Sequence, residues 1–506
     1  MKYLSSLAHR NRTNLSLISL LVIIMIGFWL RFSGIIENSF AFTYDVGRDL
    51  LAVREIVVNH RPTLLGATTG LEGLFYGPWW YYFLTIPFFL SSGNPQGIVS
   101  FVALLGLFSV FLAYLLGKKI GGESNFLGLT FASLIGFSAL MITSSSQLWN
   151  PNLAPFFVLV SLFSLYQIYN QRKIYFLVLG FSLGLAIEME IIFGVFYFLG
   201  IFLSVVLWLR DKFINRGFSF FLSGFLLIMS PRVLFELRHN FLTTRSLMKF
   251  VRASVEPQNA VPLGQRFLSR CDTFWNLWKD SVAGRNALFG LILLIFSLLA
   301  LFLFYKKARE IEKFFSKTIV VVFLTFFIGL VFYQEAAWSH YLIGLPVIFI
   351  FFLAMTFKLA KNRLKSKWLT LLYLLVALVV WVNLNPLRVL GNLKKPLWEG
   401  DAAVYRNQLA VLDYVYGQAR GEAFNYIAYT PPLHDYNYRY LFSWYGQKEY
   451  GYTPIKERAE YFFVILEPDY QSPQRLKDWL EVRKDDGQIL EEKLVKGGIV
   501  VQTRKR

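Results

Sequence analysis

The 506-residue chain contains one cysteine, Cys271, which excludes an intrachain disulfide framework and any cysteine-based metal site. Charged residues make up only 16 % of it against 55 % hydrophobic ones, too few to clothe a soluble globule in polar surface. The mean hydropathy of +0.47 says the same. Acidic side chains are also scarce: 32 Asp and Glu face 51 Lys and Arg, a net charge of +19. In a soluble protein that excess would raise nucleic acid as a partner. Here much of it lies in short loops between apolar runs, where it sets orientation in a bilayer, and no nucleic-acid partner is expected. The first apolar run lacks a small-residue cleavage site and reads as an anchor. No internal repeat of fixed period is apparent.

Present in their place are apolar runs of roughly 20 residues, the length that crosses a bilayer as a helix. Lys2, Arg10 and Arg12 precede the first, 15–36, and so place the N-terminus in the cytoplasm. Residues 38–97 then lie outside. Within them 79–90 is apolar but short and bracketed by Pro78 and Pro87, which predicts a helix lying in the interface. Further spans fall at 98–117, 126–146, 155–169, 174–187, 191–209, 218–230, 288–305, 318–333, 341–357 and 369–384. Lys118, Lys119, Arg172, Lys173, Arg210, Lys212, Lys306, Lys307, Lys361 and Lys365 collect between them on one side. That predicts a polytopic, mainly α membrane bundle of about eleven helices in the plasma membrane. A second long outer segment runs over 231–286.

The composition turns mixed and polar from about Asn385. A helical pattern over 404–419, a buried strand at 461–466, a helix near 475–482 and a closing strand at 498–502 predict a small extracytoplasmic α/β domain, 385–506, after a membrane domain, 1–384.

The two faces differ in chemistry. Inner loops are plain Lys and Arg. Outer ones mix carboxylates, amides, rings and guanidiniums: Asp45, Arg48, Asp49, Glu72, Tyr76, Trp79, Trp149, Asn150, Glu188, Arg232, Glu236, Arg238, His239 and His340 would surround one external cavity. Asp45 is the candidate general base, since a carboxylate aimed by a helix can take the proton of an attacking hydroxyl. Asp49 follows one turn later on the same face. The plainer reading is that Asp45 caps the helix. The basic series Arg232, Arg238, Arg245, Lys249, Arg252, Arg266 and Arg270 suits phosphate oxygens; attraction of its later members to anionic headgroups is the alternative. Glu188 remains open between ligand contact and structure, whereas Glu190 reads as a solvated turn. Trp149, Asn150, Pro151 and Asn152 could simply end one span and cap the next, and His340 could be a structural hydrogen bonder. No metal is demanded, although Asp45, Asp49 and Glu72 could hold a divalent cation by oxygen ligands.

The order of these features resembles the GT-C-type polytopic glycosyltransferases that use polyprenyl-phosphate sugars. These include protein O-mannosyltransferases and the transferase adding aminoarabinose to lipid A. The resemblance rests on Asp45 soon after the first span and on Phe75, Tyr76, Gly77, Pro78, Trp79 and Trp80. It rests also on the turn Trp149–Asn152 and on Pro231 with Phe235, Glu236, Leu237, Arg238 and His239. It implies transfer of a sugar from a polyprenyl-phosphate donor to a hydroxyl of a lipid, glycan or protein acceptor, with inversion and with Asp45 central. Two departures stand out. Val46 occupies the place of a Glu in the mannosyltransferases, and Gly77 lies where lipid A relatives carry a Lys near Pro78. Those two roles do not transfer, and Glu72 or Arg232 is the candidate replacement. A transporter or flippase of lipid-linked saccharides is the alternative reading; it would need broken or charged elements at mid-membrane.

Overall fold

The computed structural model describes residues 2–122, 125–254, 261–384, 401–431 and 433–506. Helix α1 (Lys2–Ile36) opens the bundle. The segment after it carries α2 (Tyr44–Val57) and α3 (Trp79–Leu90), which has the bounds expected of the interfacial helix. At about 1.5 Å per residue, α3 is too short to cross. Next come α4 (Pro95–Gly121) and the pair α5 (Phe126–Phe137) and α6 (Ala139–Ser145), bent by 61° at Ser138. Then follow α7 (Ala154–Tyr169), α8 (Tyr175–Met189), α9 (Ile191–Trp208) and α10 (Phe218–Arg238). Two amphipathic helices, α11 (Leu242–Ser254) and α12 (Leu263–Val282), separate these from α13 (Ala287–Phe304), α14 (Glu310–Phe332), α15 (Leu345–Lys361) and α16 (Ser366–Leu384).

Among the described residues nine helices are long and apolar enough to cross a membrane, and the bent pair makes ten. The eleventh expected span, α8, has only 15 residues and falls short of a full bilayer thickness. The chain is a multi-pass membrane protein. Its outward faces are apolar, with Leu288, Phe302 and Leu374 among the exposed side chains, as lipid contact requires.

Arg31 is 1 % exposed inside α1. Its guanidinium donates to the Ile135 and Gly136 carbonyls at 3.3 and 3.0 Å and to Ser145 Oγ at 3.0 Å, so it holds the α5–α6 bend. Helix α10 continues through Pro231 to Arg238, into the segment 231–286. Pro231 has no N–H for the Leu227 carbonyl, and the Ser230 hydroxyl takes that acceptor at 2.8 Å. Glycines let α8 and α10 approach: a Cβ at Gly180 or Gly224 would strike the backbone of the facing helix.

The basic loops meet at one rim. Arg309 donates to the Ile120 carbonyl, Lys212 to that of Tyr169 at 2.6 Å, and Arg363 to that of Lys307 at 2.9 Å. Residues 401–506 gather at the opposite rim. There α17 (Tyr405–Ala419), β1 (Asn425–Tyr429), α18 (Tyr436–Leu441), β2 (Tyr461–Leu466), α19 (Pro473–Glu481), β3 (Gln488–Leu494) and β4 (Val500–Lys505) follow in order. The sheet order is β1-β2-β4-β3, with β1 parallel to β2 and the other pairs antiparallel. The composition change near Asn385 lies outside the described residues. This region shares a core with the segment after α1: Phe42 packs on Tyr405 and Tyr440, and Phe42 N–H donates to the Ala403 carbonyl at 2.7 Å. Gly47 lies against the Tyr436–Asn437 backbone so closely that no Cβ would fit.

Candidate active site

Helix α2 begins after Thr43, the N-cap residue, so Asp45 does not cap it. Asp45 sits in the first turn, where the helix dipole favours a carboxylate. Its Oδ1 lies 2.7 Å from Arg48 Nη1, and its side chain keeps 27 % of its exposure. The same guanidinium donates through Nε and Nη2 to Asp49 Oδ1, both at 2.9 Å. Asp49 is buried and also accepts the Trp80 indole N–H at 2.8 Å. Burial pushes its carboxyl up from the ordinary range, against the pull of Arg48 and Trp80. The two acids one turn apart thus divide into a fixed, buried anchor and an accessible group with its arginine between them.

The aromatic stretch links this cluster to the second arginine. Trp79 Nε1 donates to the Ile228 carbonyl at 2.7 Å, and Arg232 Nη1 to that of Phe75 at 3.0 Å. Arg232 Nε donates to Glu188 Oε1 at 2.9 Å, and Glu188 is fully buried. Glu188 Oε2 and Arg232 Nη2 have no hydrogen-bond partner. Gly77 is what lets the loop close over this pair, because a Cβ there would fall on the Glu188 carboxyl. Tyr76 OH donates to Glu190 Oε2 at 2.9 Å and lies in electrostatic range of both Arg48 and Tyr341.

Glu190 is therefore not the solvated turn expected from sequence. It is 1 % exposed at the break between α8 and α9, and burial pushes its carboxyl up to about 7. Asn150 Nδ2 donates to the Met189 carbonyl at 2.6 Å, which makes it a brace for that break. Trp149 packs edge-on against His340, with ring centroids 5.3 Å apart.

Other expected members go elsewhere. Glu236 accepts the N–H groups of Thr243 and Thr244, each at 3.0 Å, and the Thr244 hydroxyl at 2.6 Å, so it caps α11. Arg238 is exposed, and His239 stacks on Phe235 at 4.0 Å. Glu72 is exposed at the tip of the 69–75 turn, where neighbouring Gly73 meets Ser246 of α11. Asp45, Asp49 and Glu72 consequently do not gather as cation ligands, and no cluster of three metal-binding side chains occurs among the described residues.

A cavity of about 510 Å³ opens beside Asp45, between the start of α2 and the C-terminal region. Its far wall carries Gln408, Asn437 and Glu467, none of which sequence reasoning selected. Gln408 and Asn437 lie in helices of mixed polarity and Glu467 follows β2, so nothing in the sequence singles them out.

No protein-family model matches this chain, and no curated protein does. Solved structures do. ArnT from Cupriavidus metallidurans in the apo state is similar over 98 % of both chains, with a TM-score of 0.60 and 10 % identity. The same protein bound to undecaprenyl phosphate is similar over 97 % of both, at 0.55 and 11 %. The Archaeoglobus fulgidus oligosaccharyltransferase, in complex with Zn and sulfate, matches 73 % of this chain with a TM-score of 0.44 and 13 % identity. The chain spans about half, 52 %, of that protein's length. At such identities the likeness is one of architecture, and the fold expected from the resemblance is found: this chain has the polytopic fold of ArnT.

Proposed function

We propose that the protein is an integral membrane glycosyltransferase that moves a sugar from a polyprenyl-phosphate donor to an acceptor hydroxyl, with inversion in one displacement. The observation that carries this reading is Asp45, an accessible carboxylate held by Arg48 at the meeting point of a cavity and an arginine-bearing rim. The attacking hydroxyl gives its proton to Asp45 while its oxygen bonds to the anomeric carbon. The bond from that carbon to the phosphate oxygen breaks, and the lipid phosphate leaves with the electron pair. Arg48 and Arg232 supply the positive charge that the growing negative charge on the leaving phosphate needs nearby. Trp79 and Tyr76 border the site as ring platforms. The fold shared with a protein crystallised with undecaprenyl phosphate supports a lipid-linked donor. Basic loops at the opposite rim support a plasma-membrane protein with a cytoplasmic N-terminus and with the site and residues 385–506 outside.

Membranes holding wild type or Asp45→Asn, incubated with labelled polyprenyl-phosphate sugars, test the reading. Loss of the base lowers transfer by about 10²–10⁴-fold. Equal transfer by the two proteins removes Asp45 from the mechanism. Failure of the wild type with every donor overturns the activity itself.

A further inference from the structure

Three members of the outer basic series are used inside the protein. Arg232 pairs with Glu188, while Arg266 and Arg270 donate to carbonyls at the end of α14, at 3.1 Å to Phe332 and 3.0 Å to Leu330. Arg238, Arg245, Lys249 and Arg252 are not so used: all four are exposed, and none has an ion pair among the described residues. No Asp or Glu occurs between Glu236 and Ser254, and Glu236 is occupied in capping α11. Glu72, on the turn that meets Ser246, is exposed and forms no ion pair with them. Four positive charges therefore stand close along the chain with no counter-charge on their own segment.

Helix α11 has three distinct sides. Arg245, Lys249 and Arg252 recur at i, i+4 and i+7 and form one stripe. Thr243 is buried and Ser246 meets Gly73, which marks the side against the protein. Leu247 and Met248 make the third side and are 45 and 54 % exposed. Bare apolar surface also leads up to it, since Leu234 and Leu237 at the end of α10 and Phe241 in the connection are exposed. Helix α10 is long and apolar enough to cross the membrane, so its lipid-facing surface continues onto α11. In open water Leu247 and Met248 would stay unburied. At the boundary between water and hydrocarbon they enter the acyl chains, while the basic stems reach the level of the headgroups.

Charge and continuity together select the occupant. A soluble acidic partner would match the four cations but not a surface that runs on from a span. A wholly zwitterionic bilayer would cover the apolar side and leave the cations without counter-charge. We propose that α11, with the end of α10, docks on the anionic phospholipid headgroups of the bilayer surface on the side of the site. The partner is the bulk anionic lipid and not the polyprenyl-phosphate donor. The contact of Ser246 with Gly73 ties this docked element to the loop that Gly77 closes over Glu188.

A quenching measurement in the full chain tests this. Met248→Cys in a Cys271→Ser background places one thiol on the apolar side of α11, where it takes a nitrobenzoxadiazole dye. The labelled protein is placed in nanodiscs of equimolar phosphatidylcholine and phosphatidylglycerol, with a quenching spin label on the acyl chain of one lipid or the other at the same mole fraction. Spin-labelled phosphatidylglycerol should quench about twofold or more better than spin-labelled phosphatidylcholine, and about 1 M salt should remove the difference. Arg245→Gln, Lys249→Gln and Arg252→Gln made together should bring the two lipids level while both still quench. Equal quenching without those changes, a preference that survives them, or quenching by aqueous iodide in place of either lipid overturns the proposal. So does loss of the preference on adding a small mole fraction of undecaprenyl phosphate, which would give the surface to the donor lipid. No sugar enters the measurement, so its failure is distinct from an inactive transferase.

Discussion

Substituting Gly77 by alanine should do more harm than almost any other single methyl in the chain. Gly77 is buried, and its missing Cβ would fall on the carboxyl of Glu188, itself fully buried and paired with Arg232 at 2.9 Å. Two responses are open. If Glu188 moves, Arg232 loses its partner, and separating a buried ion pair costs about 3–5 kcal/mol. If the loop lifts instead, the Phe75 carbonyl leaves Arg232 and Tyr76 leaves Glu190, two hydrogen bonds to charged groups at about 1.5–3 kcal/mol each. Either way the loss is about 3 kcal/mol or more. Gly70→Ala is the control: Gly70 is exposed with open space where its Cβ would stand, so its change should stay within about 0.5 kcal/mol. Denaturant titration of purified protein in detergent reads both. A double substitution with Glu188→Ala removes the clash, and the pair should be no worse than Glu188→Ala alone. If Gly77→Ala matches the wild type, or the two effects add, the packing argument is refuted.

Glu190 gives a pH signature. With its folded carboxyl near 7 against an ordinary 4.5, the folded state binds this proton more tightly, so stability from this group is highest below 4.5 and falls as pH rises to 7. Glu190→Gln should remove a loss on the order of 3 kcal/mol across that window, and an unchanged pH slope of unfolding would contradict it. Glu236→Ala strips the α11 cap and should cost about 1–2 kcal/mol, with proteolysis focused on 239–254; protection equal to wild type would deny the cap its role. Single cysteines at Glu72 and Lys365, in a Cys271→Ser background, should react with a membrane-impermeant thiol reagent from opposite sides of intact cells. Reaction from one side overturns the orientation.

The bundle was legible because length and hydropathy alone bring a span into being, and the helix at Trp79 was legible as a separate short element because its apolar run is too short to cross, although α3 continues through Pro87 to Leu90. Local spacing revealed Asp45, Arg48 and Asp49, since helix geometry puts i and i+4 on one face. What spacing could not reveal was the division of labour between the acids, because Trp80, which fixes Asp49, comes from another helix. Glu190 was misread for the same reason: Tyr76, its partner, lies 114 positions away. Gln408 and Glu467 were invisible, because an amide or acid in a polar region declares nothing until the segment around Phe42 closes over it.

That closure has a consequence for the protein's birth. Residues 40–47 emerge early from the ribosome, yet the side chains and backbone that seat them, at Ala403, Tyr405, Tyr436 and Tyr440, are made some 360 residues later. A half-synthesised chain can thread its helices into lipid and still own no finished centre. A chain ending before Ala403 would lack every one of those partners for residues 40–47.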